Sequence, residues 1–210
     1  MNENWQQAVK NKNREELITS GKQLFMKNSF LSVNIHDICK SAGVSRVTFY
    51  KHFPSMDDLI FEIQMEILQD MTEFIMREVT PEMNGLMQLE SILNLWIEYA
   101  RVHPEYFKFI LLFDLHYESY NSNQDLKQRY AEFIHKNKEQ HFLSDALRSG
   151  IRDGSLKADI DPFRTAPFIF TSMMGLLQKL SITAIKAEDS YQNQQMPEQF
   201  VSMILQYLRE

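Results

Sequence analysis

A lone cysteine, Cys39, in 210 residues excludes an internal disulfide framework and a multi-cysteine zinc site, and suits a reducing compartment. Glycine and proline are also scarce, at six each. An all-β sandwich or barrel, which needs a turn about every eight to twelve residues, is therefore disfavoured against long helices. No stretch approaches the roughly 20 apolar residues of a membrane helix, and the leader MNENWQQAVKNKNREE has no apolar targeting core. These absences predict a soluble, cytoplasmic protein. Enzyme signatures are missing as well: there is no phosphate-binding glycine loop, no HExxH, no paired Glu-x-x-His set and no serine elbow. No catalytic residue, cofactor or metal site is expected. Cys39, three residues after His36, reads as a core thiol. His135 and His141 lie six residues apart on different helix faces, so they make poor metal ligands.

What is present is ordinary globular composition, 44% hydrophobic and 24% charged, in a 24.9 kDa chain. A chain of this length buries roughly 70% of its unfolded surface, so disorder is excluded and one domain or two small ones fit. Charge is uneven. Residues 1–53 hold eight Lys/Arg against four Asp/Glu, whereas the remainder holds 14 against 24. A basic head on an acidic body can orient an encounter with a polyanion, although a solvated basic face is the simpler reading of charge alone.

Apolar spacing is helical nearly throughout. Leu17, Ile18, Gly21, Leu24 and Phe25 form one stripe after a polar leader, with Phe30 packing the turn beyond it. Short helices are predicted over about 35–42, capped by Asn34 and closed by Gly43, and from Ser45 to about His52, before Pro54. Ser55 and Asp58 open a long helix that Thr80–Pro81 ends. Further helices fit about 86–102, 104–119, 124–152 and 162–187, the last with a kink or later start at Pro167, and a final one from Met196–Pro197. The predicted fold is all-α, with about nine helices.

The informative stretch is NIHDICKSAGVSRVTFYKHF, residues 34–53. Two short helices joined through Ala42-Gly43-Val44 fit a helix-turn-helix in which Ile35, Ile38, Val44 and Val47 pack the pair together. Such a unit offers its second helix to the DNA major groove. Ser45, Arg46 and Thr48 stand at its leading end. Arginine can pair with guanine in a bidentate way, and a threonine methyl can meet thymine. Tyr50, Lys51 and His52 suit phosphate contacts, and Lys10, Lys12 and Arg14 are candidates for a mobile basic arm. A helical hairpin with merely solvated polar residues is the alternative.

This segment resembles the N-terminal DNA-binding domain of the tetracycline-repressor (TetR) family of bacterial regulators. Asp37-Ile38, Ala42-Gly43-Val44-Ser45, Tyr50, His52-Phe53 and Leu59 carry the likeness, which is strong over about residues 14–60. It implies that Ser45, Arg46 and Val47 read bases and that Thr48, Tyr50, Lys51 and His52 meet the phosphate backbone. Two departures stand out: Val47 where the family often has glycine, and Met56 where it usually has a phosphate-binding lysine. Asn34, replacing a threonine, can still cap and touch phosphate. The likeness further implies a DNA-binding domain over 1–58, and a helical ligand-binding and dimerisation domain over 59–210. It also implies a homodimer on a palindromic operator in double-stranded DNA, and a small-molecule effector that changes the spacing of the two DNA-reading heads.

The body offers matching features. Eight aromatics fall within residues 96–120, more than twice the density of the whole chain. Met87, Trp96, Tyr99, Phe107, Phe113, Tyr117, Met173 and Met174 are the candidate lining of an apolar pocket, with His103, His116, His135 and His141 as further contacts. Plain core packing explains the same residues. Phe168, Leu176, Ile204 and Leu208, together with Met174, Leu177 and Leu205, are candidates for a four-helix dimer face, or for packing within one chain. A homodimeric repressor released by a small apolar or amphipathic ligand is the leading expectation. A ligand-independent regulator, a helical interaction module and an enzyme on a helical bundle are the rivals, and specific DNA binding separates the first two from the last two.

Overall fold

The computed structural model describes residues 2–28, 32–119, 125–130, 132, 142–183 and 190–209, with side chains from residue 10 and excluding 117–119 and 190–194. The described residues are helical with no strand, as the spacing predicts. Nine helices have bounds: α1 Asn2–Lys27, α2 Ile35–Ala42, α3 Arg46–His52, α4 Met56–Met76, α5 Gly85–Val102, α6 Pro104–Ser119, α7 Phe142–Asp153, α8 Pro162–Ile182 and α9 Ser190–Leu208. Residues 125–130 are helical too, but Phe30 and residues 133–141 lie outside the described set, so the expected helix over 124–152 is seen only at its ends.

Two helix starts differ from the sequence reading, and α8 ends at Ile182 instead of about 187. α1 starts at Asn2 instead of near Arg14, because the polar leader is rich in good helix formers such as Gln, Ala and Lys. α8 begins at Pro162, with the Asp161 carboxylate accepting from the Phe163 N–H at 3.0 Å, and runs through Pro167. There is no later start. Pro167 lacks only the bond to the Phe163 carbonyl, on an exposed side of the first turns. α9 starts at Ser190, six residues early, and carries Pro197 inside it.

The chain divides into two compact units, residues 1–68 with 109–126, and 69–108 with 127–210. In the first, α1 crosses α2 and α3. Leu17, Ile18 and Phe25 of α1, Ile38 of α2, Phe49 and Phe53, and Leu59, Ile63 and Ile67 of α4 are buried. Each such side chain contributes about 1.5–3 kcal/mol by leaving water. Gly21 lets α1 approach α4, since a Cβ there would lie 3.0 Å from the Ile63 Cδ1. Arg14 to Glu62, at 2.7 Å, and Lys22 to Glu66, at 2.9 Å, join the same two helices.

In the second unit α5 packs most extensively on α7, and α9 lies against α5 and α8. Leu89, Ile92, Leu93 and Trp96 meet a core that includes Leu143, Leu147, Ile169, Met173, Leu177 and Leu205. The α5–α7 crossing is close at two glycines, for a Cβ on Gly85 would fall 1.9 Å from the Gly150 nitrogen. The start of α5 is fully capped. Asn84 accepts from the Met87 N–H at 2.9 Å, Asp153 from the Gly85 N–H at 2.7 Å, and Ser155 from the Leu86 N–H at 3.1 Å.

Candidate nucleic-acid interface

The α2–α3 hairpin is built from local chemistry. Asn34 Oδ1 accepts from the Asp37 N–H at 3.1 Å, which fixes the entry to α2. Gly43 ends it with φ of 67°, a left-handed conformation that glycine adopts without strain, while the Val44 N–H reaches the Cys39 carbonyl at 3.0 Å. Ser45 then caps α3 through its Oγ, accepting from the Thr48 N–H at 3.0 Å, and its hydroxyl pairs with that of Thr48 at 2.9 Å. Ser55 repeats the device for α4, accepting from the Asp58 N–H at 3.2 Å and donating to its carboxylate at 2.6 Å.

On α3 the inward residues are Phe49 and Phe53, one turn apart with ring centroids 5.8 Å from each other. The rest of the helix is turned outward. Val47 is 68% exposed and Tyr50 53%. This corrects the expectation that Val47 packs α2 against α3: Ile38 and Phe49 do so, with Ile35 and Val44 half-buried beside them. Placing Phe49 and Phe53 inward leaves Val47, two residues before Phe49, on the other side of the helix. Arg46 and Lys51 are exposed, and Thr48 and His52 are half-buried. Asn34, Ser45, Arg46, Val47, Thr48, Tyr50, Lys51 and His52 therefore all lie on or beside one helix pair of the first unit. Met56, in place of a lysine, is half-buried at the start of α4.

Three cations act on His52. Burial lowers the His52 pKa below its ordinary 6.5, and the charges of Lys10, Arg14 and Lys51 lower it further. Lys10 and Arg14 belong to α1, so they are held on a helix and not on a loose arm, and Lys12 lies exposed between them. The Arg14 guanidinium stands 5.4 Å from the centre of the Phe53 ring. Cys39 is buried, which raises its thiol pKa; Arg46 acts in the opposite direction. Nothing in the sequence flagged the influence of the Lys10 charge on His52, since it needs the α1–α3 packing.

The candidate effector residues are less unified. Trp96, Tyr99, Phe107, Met173 and Met174 are buried within the second unit, and Phe113 within the first. Met87 is 52% exposed, and the side chain of Tyr117 lies outside the described residues, as do His135 and His141. His103 stacks on Tyr106 with centroids 4.7 Å apart, and His116 is half-buried. No group of three or more His, Cys, Asp or Glu able to hold a metal occurs among the described residues.

One signal was missed. The Trp96 Nε1 and Tyr99 hydroxyl, three residues apart on α5, are buried without a hydrogen-bond partner among the described residues. Trp96 sits against Phe142 and Phe170, and Tyr99 against Phe74, Tyr106 and Phe107. Burial drives the Tyr99 phenol well above its ordinary pKa, with the charge of Asp70 adding to the effect. Buried polar atoms such as these cost free energy until something bonds to them.

Of the candidate dimer residues, Phe168 is 61% exposed, Leu176 and Ile204 are half-buried, and Leu208 is buried within its own chain. The sequence did not single out Phe163, Met203 or Tyr207, which are large, apolar and exposed on α8 and α9.

The profile of the bacterial regulatory proteins of the tetR family matches residues 17–63, the span that holds these two helices. Over 185 residues the chain is 25% identical to the HTH-type transcriptional regulator UidR of Escherichia coli K12, covering 85% of this chain and 86% of UidR. It is 22% identical over 149 residues to the HTH-type transcriptional repressor KstR2 of Rhodococcus jostii, 70% of each chain. A TetR transcription regulator from Haloarcula marismortui superposes with a TM-score of 0.74 over 95% of this chain and all of that one, at 14% identity.

Proposed function

Because this chain belongs to the tetR family of bacterial regulatory proteins, and so is a DNA-binding regulator and not an enzyme, we propose that it is a homodimeric, sequence-specific repressor released by a small effector. Residues 1–58 serve as the DNA-binding domain on this reading, and residues 59–210 as the effector-binding and dimerisation domain. The observation that carries it is α3 itself. Its caps and the Phe49–Phe53 anchor consume the inward side, so that Arg46, Val47, Tyr50 and Lys51 face outward from a head whose first 53 residues hold eight Lys/Arg against four Asp/Glu. Arg46 is assigned to base edges, Lys51, Tyr50 and His52 to phosphates, and Asn34 to a flanking phosphate. Ser45 and Thr48, whose hydroxyls are engaged with each other, position α3.

An effector with an apolar body and a hydrogen-bonding tip suits the unpartnered Trp96 and Tyr99 atoms. Such a ligand releases DNA only in proportion to its preference for the non-binding conformation. The homodimer is supported by Phe163 and Phe168 on α8 and Met203 and Tyr207 on α9, a group of large apolar side chains left in water by one chain. No helix among the described residues is long and apolar enough to cross a membrane, and we place the regulator in the cytoplasm with its DNA.

The test is selection of bound sites from a random duplex pool at about 150 mM salt, followed by affinity against scrambled DNA. A two-fold-symmetric site bound ~10³-fold or more tighter than scramble is expected. Binding without sequence preference that disappears as salt rises would overturn the proposal.

A further inference from the structure

Among the described residues up to Leu68, Val47 and Tyr50 are the exposed large apolar side chains, and both belong to α3. Tyr50 has a hydroxyl to place on a phosphate. Val47 has only methyl groups, and it is 68% exposed. Ser45 and Thr48, on either side of it, pair their hydroxyls with each other at 2.9 Å. Beside Val47 stands Arg46, exposed and with no ion pair among the described residues, so a cation and an apolar side chain are presented together.

The major groove has one apolar group on a base edge, the C5-methyl of thymine. We propose that Val47 is a specificity-determining residue that reads a thymine methyl in each operator half-site, next to the base pair contacted by Arg46. This rests on the regulator reading above and deepens it. A glycine at this position would present no such surface, so the valine makes the preference a property of this chain. The contact carries no charge, so it adds to sequence preference without adding to the salt dependence that Lys51 and the other cations supply.

The experiment uses the full-length protein and the site recovered from the random duplex pool. Each thymine is replaced in turn by deoxyuridine, which pairs identically but lacks the methyl group. At one thymine per half-site, affinity is expected to fall about fourfold, the value of burying one methylene-sized group, and about fifteenfold when both half-sites are changed. Val47→Ala, a change that favours the helix and disturbs no buried contact, is expected to bind both duplexes equally while keeping the salt dependence of the natural protein. Circular dichroism melting checks that the variant is folded. Selective binding in which no single thymine methyl matters, or in which Val47→Ala remains as sensitive to its loss, would overturn this inference and leave the regulator reading intact. Failure to select any site would overturn both.

Discussion

His52 shows how one residue couples local electrostatics to DNA binding. Burial and the charges of Lys10, Arg14 and Lys51 hold its pKa below 6.5, so the free protein carries a neutral imidazole at pH 7. Below pH 6.5 the unfolded chain takes up this proton before the folded one does, and the stability of the free protein falls as pH drops through that window. A phosphate beside His52 reverses the bias by favouring the imidazolium. Operator affinity is therefore expected to rise as pH falls from about 7.5 to 6, and His52→Gln should flatten the profile; fluorescence anisotropy at fixed ionic strength measures both. The neighbouring positions separate by role. Arg46→Ala should cost about 1–3 kcal/mol and relax the preference at one base pair, whereas Lys51→Ala should weaken all sequences alike and lower the salt slope by about 1. At this scale the sequence was legible wherever a contact is local. The Asn34–Asp37, Ser45–Thr48 and Ser55–Asp58 caps span three residues, and spacing alone predicts them. Val47 was misjudged because one apolar residue on a seven-residue helix does not reveal which side it occupies until Phe49 and Phe53 fix the inside.

Among the helices, α5 is the element on which most of the second unit depends. Its first turn is capped from α7 and the residues after it, and Gly85 lies against the backbone of Gly150. Gly85→Ala is expected to lower stability by about 3 kcal/mol or more, because the clash is with backbone and not with a side chain that can turn aside. Gly175, with open space around it on α8, is the contrast: Gly175→Ala should leave stability unchanged or raise it by up to about 1 kcal/mol through helix propensity alone. Thermal melts of the two variants decide the matter. Further along α5, Tyr99→Phe removes a buried hydroxyl that bonds to nothing, so its melting temperature should match or exceed that of the natural protein. If the effector bonds there, the same variant should release DNA less readily with ligand while holding the operator unchanged without it. None of this was visible in the sequence. Aromatic enrichment marked the region, but whether Trp96 and Tyr99 have partners depends on which side chains surround them from α7, α8 and the start of α6.

For the whole molecule, the question is how two recognition helices come to act together. One chain leaves Phe163 and Phe168 on α8 and Met203 and Tyr207 on α9 facing water, whereas Leu208, equally apolar in the sequence, is taken up by its own core. Helical periodicity identifies an apolar stripe but not whether its partner is the same chain or another, and this is why the sequence named the two helices without separating inner from outer residues. A dimer formed on the exposed set is expected to dissociate in Phe168→Glu with Tyr207→Glu, since both charges would be buried without partners at the symmetric face. Each side chain is exposed in the single chain, so the fold should survive, and sedimentation should report a folded monomer of about half the mass. The DNA consequence is quantitative. If each protomer neutralises about four phosphates, log K falls with log salt at a slope near −7 for the dimer and near −3.6 for the monomer. A double variant that is monomeric yet retains the steeper slope and the full affinity would show that a single head suffices, and would remove the reason for the homodimer.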